Sequence, residues 1–225
     1  KIIRGICEMQ SVKWVRLLYL YPDEISDDLI AEIKNQSKVV KYIDLPLQHA
    51  SSPVLKRMNR RGNQKKYSAL IGKIRREIPS IALRTTFITG FPGEKNSDFK
   101  ALCEFVRKIK FENMGVFTYS REEGTPAAGY CGQIDKRMSE KRAETLMEIQ
   151  YGLLDKINKK YLGKVFPVLC EGIENDHFVG RAYFQAPEVD GKIFFKSKND
   201  CQEGQFYNVF LEKYDTYDFY GYETV

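Results

Sequence analysis

The sequence predicts an α/β body with a parallel sheet, followed by a small all-β barrel, and three observations carry that expectation. Across the first 160 residues short apolar runs alternate with longer segments of helical period. Five short aromatic-rich runs separated by turn residues fill the remainder. The charge also changes sign between the two parts: residues 1–160 hold 30 Lys+Arg against 19 Asp+Glu, a net of +11, whereas residues 161–225 hold 6 against 11, a net of −5. Such a break in charge and composition marks a domain boundary, so domains at 1–160 and 161–225 are expected. With 225 residues, 43% of them hydrophobic and 14 Phe and 14 Tyr among them, the chain has ample material for a packed core, which excludes disorder and low complexity. No window approaches the roughly 18 apolar residues of a membrane span, and KIIRGICEMQSVKW lacks the apolar run of a signal peptide. A cytoplasmic protein without membrane partners is expected.

The elements follow in order. A helix is expected from Lys1 to about Ser11. WVRLLYLYP (14–22), VVKYIDLPLQ (39–48), ALRTTFITGF (82–91) and MGVFTYS (114–120) are short, rich in β-branched and aromatic residues, and closed by Pro, Gly or Ser, the marks of strands. Between them lie helical segments at Asp27–Asn35, after the acidic PDEISDD, at Pro53–Met58 and Lys65–Glu77, and at Asn96–Lys110. A long amphipathic helix from Met138 to Tyr161 opens near Asp135 and Ser139. Strands that are nearly continuous apolar runs, each followed by a helix, imply a parallel sheet covered on both faces. Four strands are too few to close a filled barrel, so the sheet is either open or a barrel lacking its first strands; a start inside a helix favours the second. In the tail, KVFPVLCEG, DHFVGRAYF, KIFFKS, GQFYNVFLEKY and TYDFYGYETV read as five strands of a small antiparallel barrel of the oligonucleotide-binding-like type.

Chemistry in parallel sheets collects at the carboxyl ends of strands, and three of the four ends here are unusual. DLPLQHASS (44–52) offers an amide at Gln48, an imidazole at His49 and hydroxyls at Ser51 and Ser52, although Ser51 and Ser52 also suit the start of a helix at Pro53. RTTFITGFPGE (84–94) sets Gly90 and Gly93 at a turn where backbone can approach a ligand, and places Arg84 inside an apolar strand, where it needs a carboxylate or phosphate partner. Neither Gly-Lys-Ser/Thr nor GxGxxG is present, so the usual nucleotide fingerprints are absent. FTYSREEGTPA (117–127) carries Glu122 and Glu123, whose adjacent side chains diverge and suit a solvated loop, as His177 suits a surface turn. The five cysteines, Cys7, Cys103, Cys131, Cys170 and Cys201, lie at least 28 positions apart and form neither a disulfide framework nor a metal motif.

DLPLQHAS, RTTFITGFPGE and FTYSREEGTPA, in this order after a strand ending in YP and before a long helix and a small barrel, resemble the methylthiotransferases of the radical S-adenosylmethionine superfamily along the whole chain. The resemblance implies the last four βα units of an open (β/α)6 radical SAM barrel followed by a TRAM domain. It implies S-adenosylmethionine as cofactor and two 4Fe-4S clusters in the full-length enzyme, one on a Cys-x-x-x-Cys-x-x-Cys loop and one on three cysteines of an amino-terminal domain. Neither cysteine set occurs here. A carboxy-terminal fragment is therefore expected, inactive alone and with no catalytic or metal-ligating residue of its own. By the same resemblance Gln48 and Ser51 face the cofactor's ribose or methionine end, Arg84 holds its carboxylate, Ile88 packs on adenine, and Tyr119 and Ser120 offer backbone groups to the adenine edge.

Two branches of the family compete. One modifies adenosines of transfer RNA; the other, the RimO type, modifies an aspartate of small-subunit ribosomal protein twelve. A tail that tracks RNA needs positive charge, and this one is net −5, which suits a basic ribosomal protein. QAPEVDG (185–191) and DLPLQHAS also resemble the ribosomal-protein branch, with Glu188 and Asp190 as candidate partner contacts. Against this, Arg57, Arg60, Arg61, Lys65 and Lys66, with Arg75 and Arg76, form a basic run that RNA could use. A transfer RNA enzyme, or a non-catalytic RNA- or ribosome-binding module, is the alternative.

Overall fold

A computed structural model describes residues 1–224 of the chain. Two compact units divide at Leu153/Leu154. The first contains helices α1 (Ile2–Glu8), α2 (Asp27–Asn35), α3 (Ser52–Arg57), α4 (Gln64–Glu77) and α5 (Asn96–Ile109), and strands β1 (Val15–Leu17), β2 (Val39–Asp44), β3 (Ala82–Thr89) and β4 (Asn113–Thr118); helix α6 (Lys136–Asn158) runs out of it. The strands form one sheet in the order β1-β2-β3-β4, every pair parallel. Helices α2, α4 and α5 start where side chains satisfy free N–H groups. Ser26 accepts from the Leu29 N–H at 3.2 Å, with Asp27 and Asp28 in the first turn of α2, and Asn63 accepts from the Lys66 N–H at 2.9 Å. At α5 the Asp98 carboxylate takes the Lys95 N–H at 2.9 Å.

The first strand is shorter than the apolar run 14–22 suggests. Tyr19 adopts φ 57° and its N–H goes to the Asp44 carboxylate at 3.1 Å. Pro22, with no N–H to give a ladder, opens a short 3-10 turn instead. On β3 the period of two separates Leu83, Thr85, Phe87 and Thr89, all buried, from Arg84, Thr86 and Ile88, which are half-buried on the opposite face. Phe87 anchors the core under the helices, with its ring edge-on to Phe105 at 6.4 Å and to Phe111 at 6.0 Å.

The second unit holds β5 (Val165–Glu174), β6 (His177–Arg181), β7 (Ile193–Lys196), β8 (Phe206–Asp215) and β9 (Asp218–Glu223), closed in the order β5-β6-β7-β9-β8. The expected antiparallel barrel is a mixed one, because β7 and β9 are parallel. The reason is arithmetic: strand directions cannot alternate strictly around a closed ring with an odd number of members, so one parallel pair is unavoidable. Val168, Ile193, Phe195, Val209 and Leu211 are fully buried and fill the interior. Gly180 and Gly221 let strands meet, since a Cβ at Gly221 would stand 1.9 Å from the Phe210 carbonyl oxygen. Among the described residues no helix is long and apolar enough to cross a membrane.

Candidate functional site

Beyond β2 the chain turns at Gln48, which takes φ 68°, a left-handed conformation that a non-glycine side chain resists. It is held there by β3 on both sides: the Gln48 N–H donates to the Thr86 carbonyl at 2.9 Å, and the Ile88 N–H donates to the Gln48 carbonyl at 2.8 Å. The side chains of Gln48 and Ile88 thereby line one cavity of about 420 Å³ at the carboxyl end of β3, together with Met58, Phe91, Pro126 and Tyr130. Two rings lie edge-on to Phe91, Tyr119 at 5.1 Å and Tyr130 at 6.4 Å. The Tyr119 hydroxyl is buried without a hydrogen-bond partner among the described residues. Arg57 ties the wall together by donating to the Pro92 carbonyl at 2.6 Å and the Cys131 carbonyl at 2.9 Å.

The other residues singled out in the sequence lie at different distances from this cavity. Arg84, on the same face of β3 as Ile88, has its Nε 3.9 Å from the Asp44 carboxylate, which supplies the anionic neighbour its burial demands. Gly115 gives the guanidinium room, since a Cβ there would lie 3.3 Å from it. Ser51 is buried and donates its hydroxyl to Asp98 at 2.5 Å, which leaves it holding the start of α3 to that of α5 and outside the cavity lining. The Tyr119 N–H is spent on the Thr89 carbonyl at 2.8 Å. Ser120 is exposed and donates to Glu122 at 2.6 Å, in the solvated loop that the sequence suggested for Glu122. In the barrel, Glu188 is exposed at φ 66°, whereas Asp190 accepts the Ala186 N–H at 2.8 Å and closes its own loop. His177 lies next to the β5–β6 turn, with its Nδ1 2.9 Å from the Asn175 carbonyl.

Beside Gly90 lies a buried polar hub that includes His49 and whose centre, Glu94, sequence reasoning missed. Glu94, fully buried, receives the Gly90 N–H at 2.5 Å, pairs with Arg142 of α6 at 3.1 Å and lies 3.4 Å from His49 Nε2. The Ser51 N–H donates to His49 Nδ1 at 2.9 Å, so that nitrogen carries no proton and Nε2 is the one that donates to Glu94. The only sequence signal was a glutamate directly after GFPG; its partner Arg142 is 48 residues away.

The lining fits the adenosyl part of a cofactor, with apolar and aromatic walls and the Gln48 amide, whereas Arg84 and Tyr119 stand outside the lining, as Ser51 does. It does not fit an iron–sulfur cluster. The five cysteines are separate free thiols, and among the described residues no group of three or more His, Cys, Asp or Glu could hold a metal.

Residues 2–106 match the model of the radical SAM superfamily and residues 162–223 that of the TRAM domain. The chain is 45% identical over 223 residues to the ribosomal protein uS12 methylthiotransferase RimO of Lachnoclostridium phytofermentans, covering 98% of this chain and 51% of that protein. It is 44% identical to the RimO of Acetivibrio thermocellus, covering 98% of this chain and 49% of that protein. The chain therefore spans about half the length of the curated relatives it matches. Among solved structures, the coproporphyrinogen III oxidase HemN of Escherichia coli aligns at a TM-score of 0.47 and 18% identity, over 64% of this chain and 32% of that one.

Proposed function

We propose, for a chain that belongs to the radical SAM methylthiotransferase family of the RimO type, that its parent protein methylthiolates an aspartate side chain of ribosomal protein uS12. Residues 1–160 would serve as the cofactor-binding part of the barrel and residues 161–225 as the TRAM domain. The observation that carries this reading is the unbroken likeness to RimO proteins through 98% of the chain, both units included. S-adenosylmethionine, when bound, supplies the hydrogen-abstracting equivalent and the methyl group. The chain's own residues bind and orient it. Ile88, Phe91 and Tyr130 take the adenine between apolar surfaces and exclude water. Gln48, pinned by two backbone hydrogen bonds, presents its amide to the ribose. Arg84 meets the methionine carboxylate, and Asp44 sets its approach. Tyr119, whose N–H is already used, offers its carbonyl to the adenine edge beside Ser120. Ser51 acts through Asp98 by fixing the loop that carries Gln48. Ligands for the 4Fe-4S clusters, two by family resemblance, belong to parts of the parent protein outside this chain.

Substrate choice rests on the tail. A tail of net −5 over residues 161–225 repels phosphate and attracts a basic ribosomal protein, with Glu188 as the exposed contact and Asp190 as the residue that shapes its loop. The transfer RNA reading is favoured by one feature, the exposed cations Arg61, Lys65 and Lys66 of the body. A salt series with the full chain separates the two. Binding of uS12 with a shallow salt slope, and none of a transfer RNA anticodon stem-loop, is expected; tight, steeply salt-dependent RNA binding would move the assignment to the RNA branch.

A further inference from the structure

The barrel carries a groove of about 580 Å³ between the β5–β6 hairpin and the loop that precedes β7. Closure of the barrel leaves no free strand edge, so any polypeptide it takes must be read through side chains rather than by strand addition. The hairpin is built to project. Its turn residues Asn175 and Asp176 both take positive φ, the primed-turn conformation that matches the twist of paired strands. A bulge between Cys170 and Gly172 re-aims the residues that follow. Ile173 is 66% exposed on the hairpin's lip, and Val189, outside the lining but between its residues Glu188 and Asp190 in sequence, is 54% exposed. Two branched apolar side chains standing in water within one small barrel, with Val179 and Pro187 between the lips, mark a surface that gains by being covered.

The charge around that apolar strip is selective. Both cations in the lining are already paired, Arg181 with Glu171 and Lys192 with Glu174 at 2.6 Å, and Asp190 is engaged by the Ala186 N–H. Among the described residues Glu188 has no such partner, and it is exposed, with φ 66°. Four carboxylates against two cations leave the groove negative within residues 161–225, which are themselves net −5. We propose that this groove docks an extended, basic polypeptide segment in which Lys or Arg alternates with an apolar residue. The apolar side chain covers Ile173 and Val189, and the cations meet Glu188 and the outer oxygens of Glu174. The inference rests on the reading of the TRAM unit as a binder of a basic ribosomal protein and narrows it to one surface.

The test uses the full 225-residue chain, a fluorescent ten-residue peptide alternating lysine with leucine, and the basic ribosomal protein as competitor. Ile173→Asp and Glu188→Lys are each expected to weaken peptide binding by at least about tenfold, while Glu203→Lys and Glu212→Lys, which add the same positive charge on exposed sites outside the groove, change it by less than about twofold. Replacing the peptide's leucines with serine should cost a similar factor. Equal losses for the three Glu→Lys variants, with Ile173→Asp binding no more weakly than the unaltered chain, would mean that net charge alone attracts the partner, which overturns the groove and leaves the broader reading standing. Failure of the unaltered chain to bind either the peptide or the ribosomal protein, with RNA bound instead, would overturn both.

Discussion

Glu94 shows how much depends on a single buried carboxylate. It satisfies a backbone N–H, a guanidinium and an imidazole at once, and removing it leaves Arg142 as an uncompensated buried charge. Glu94→Ala is expected to destabilise the first unit by about 3–5 kcal/mol, read by urea unfolding, with Glu94→Gln costing less because an amide can still accept from Gly90. A loss under about 1 kcal/mol for Glu94→Ala would show that water replaces the hub. Arg84 tests the cofactor role instead. Arg84→Ala in the full-length parent should weaken S-adenosylmethionine binding by about 1.5–3 kcal/mol, and unchanged affinity by calorimetry with the fold intact would remove Arg84 from the site. The sequence made Arg84 legible because a guanidinium in an apolar strand demands a partner. Glu94 stayed hidden because its meaning lies in residues from three separate elements. Ser51 was legible as a polar group at a strand end, but only the structure shows that Asp98 holds it.

Elements were legible to the extent that local chemistry fixes their ends. Helix α2 runs over Asp27–Asn35 as its cap and acidic first turn imply, and β2, β3 and β4 lie within a few residues of their apolar runs. β1 was overestimated because periodicity cannot see the Asp44 carboxylate that draws Tyr19 out of the ladder. At the far end of α6, Asp155 receives the Tyr214 hydroxyl at 2.5 Å and Lys159 at 2.7 Å; the Lys159 hydrogen bond first, and the Tyr214 one next, hold its carboxyl below its ordinary value of 3.8. A depressed carboxylate contributes stability above its unfolded pKa and loses it as pH falls through the lower folded one. The melting temperatures of the wild type and Asp155→Asn should therefore differ at pH 7 and converge below pH 3.8. A difference that persists undiminished in acid would assign the effect to packing. In the barrel, Gly221→Val should prevent closure, since its Cβ would collide with the Phe210 carbonyl; loss of the native far-ultraviolet spectrum of β9 pairing, or a steep fall in melting temperature, is the expected result.

At the scale of the molecule, the charge split along the chain, +11 in residues 1–160 and −5 in residues 161–225, is a property of sequence alone, and so is the scatter of the cysteines. Anaerobic treatment of this chain with iron and sulfide is expected to give no stable cluster absorbance, because no three of its thiols converge among the described residues. Stoichiometric iron retained after gel filtration would contradict that. The order of strands and helices was set by the sequence, because periodicity, turn residues and caps act over a few positions. Three features were decided only in the tertiary structure. The barrel had to include a parallel pair, since five strands cannot alternate around a ring. The hub at Glu94 exists only where α6 meets two loops. The groove beside Glu188 depends on a bulge that aims one hairpin at one loop. Each arises from contacts between residues far apart in the chain, and closure, burial and facing surfaces have no local signature.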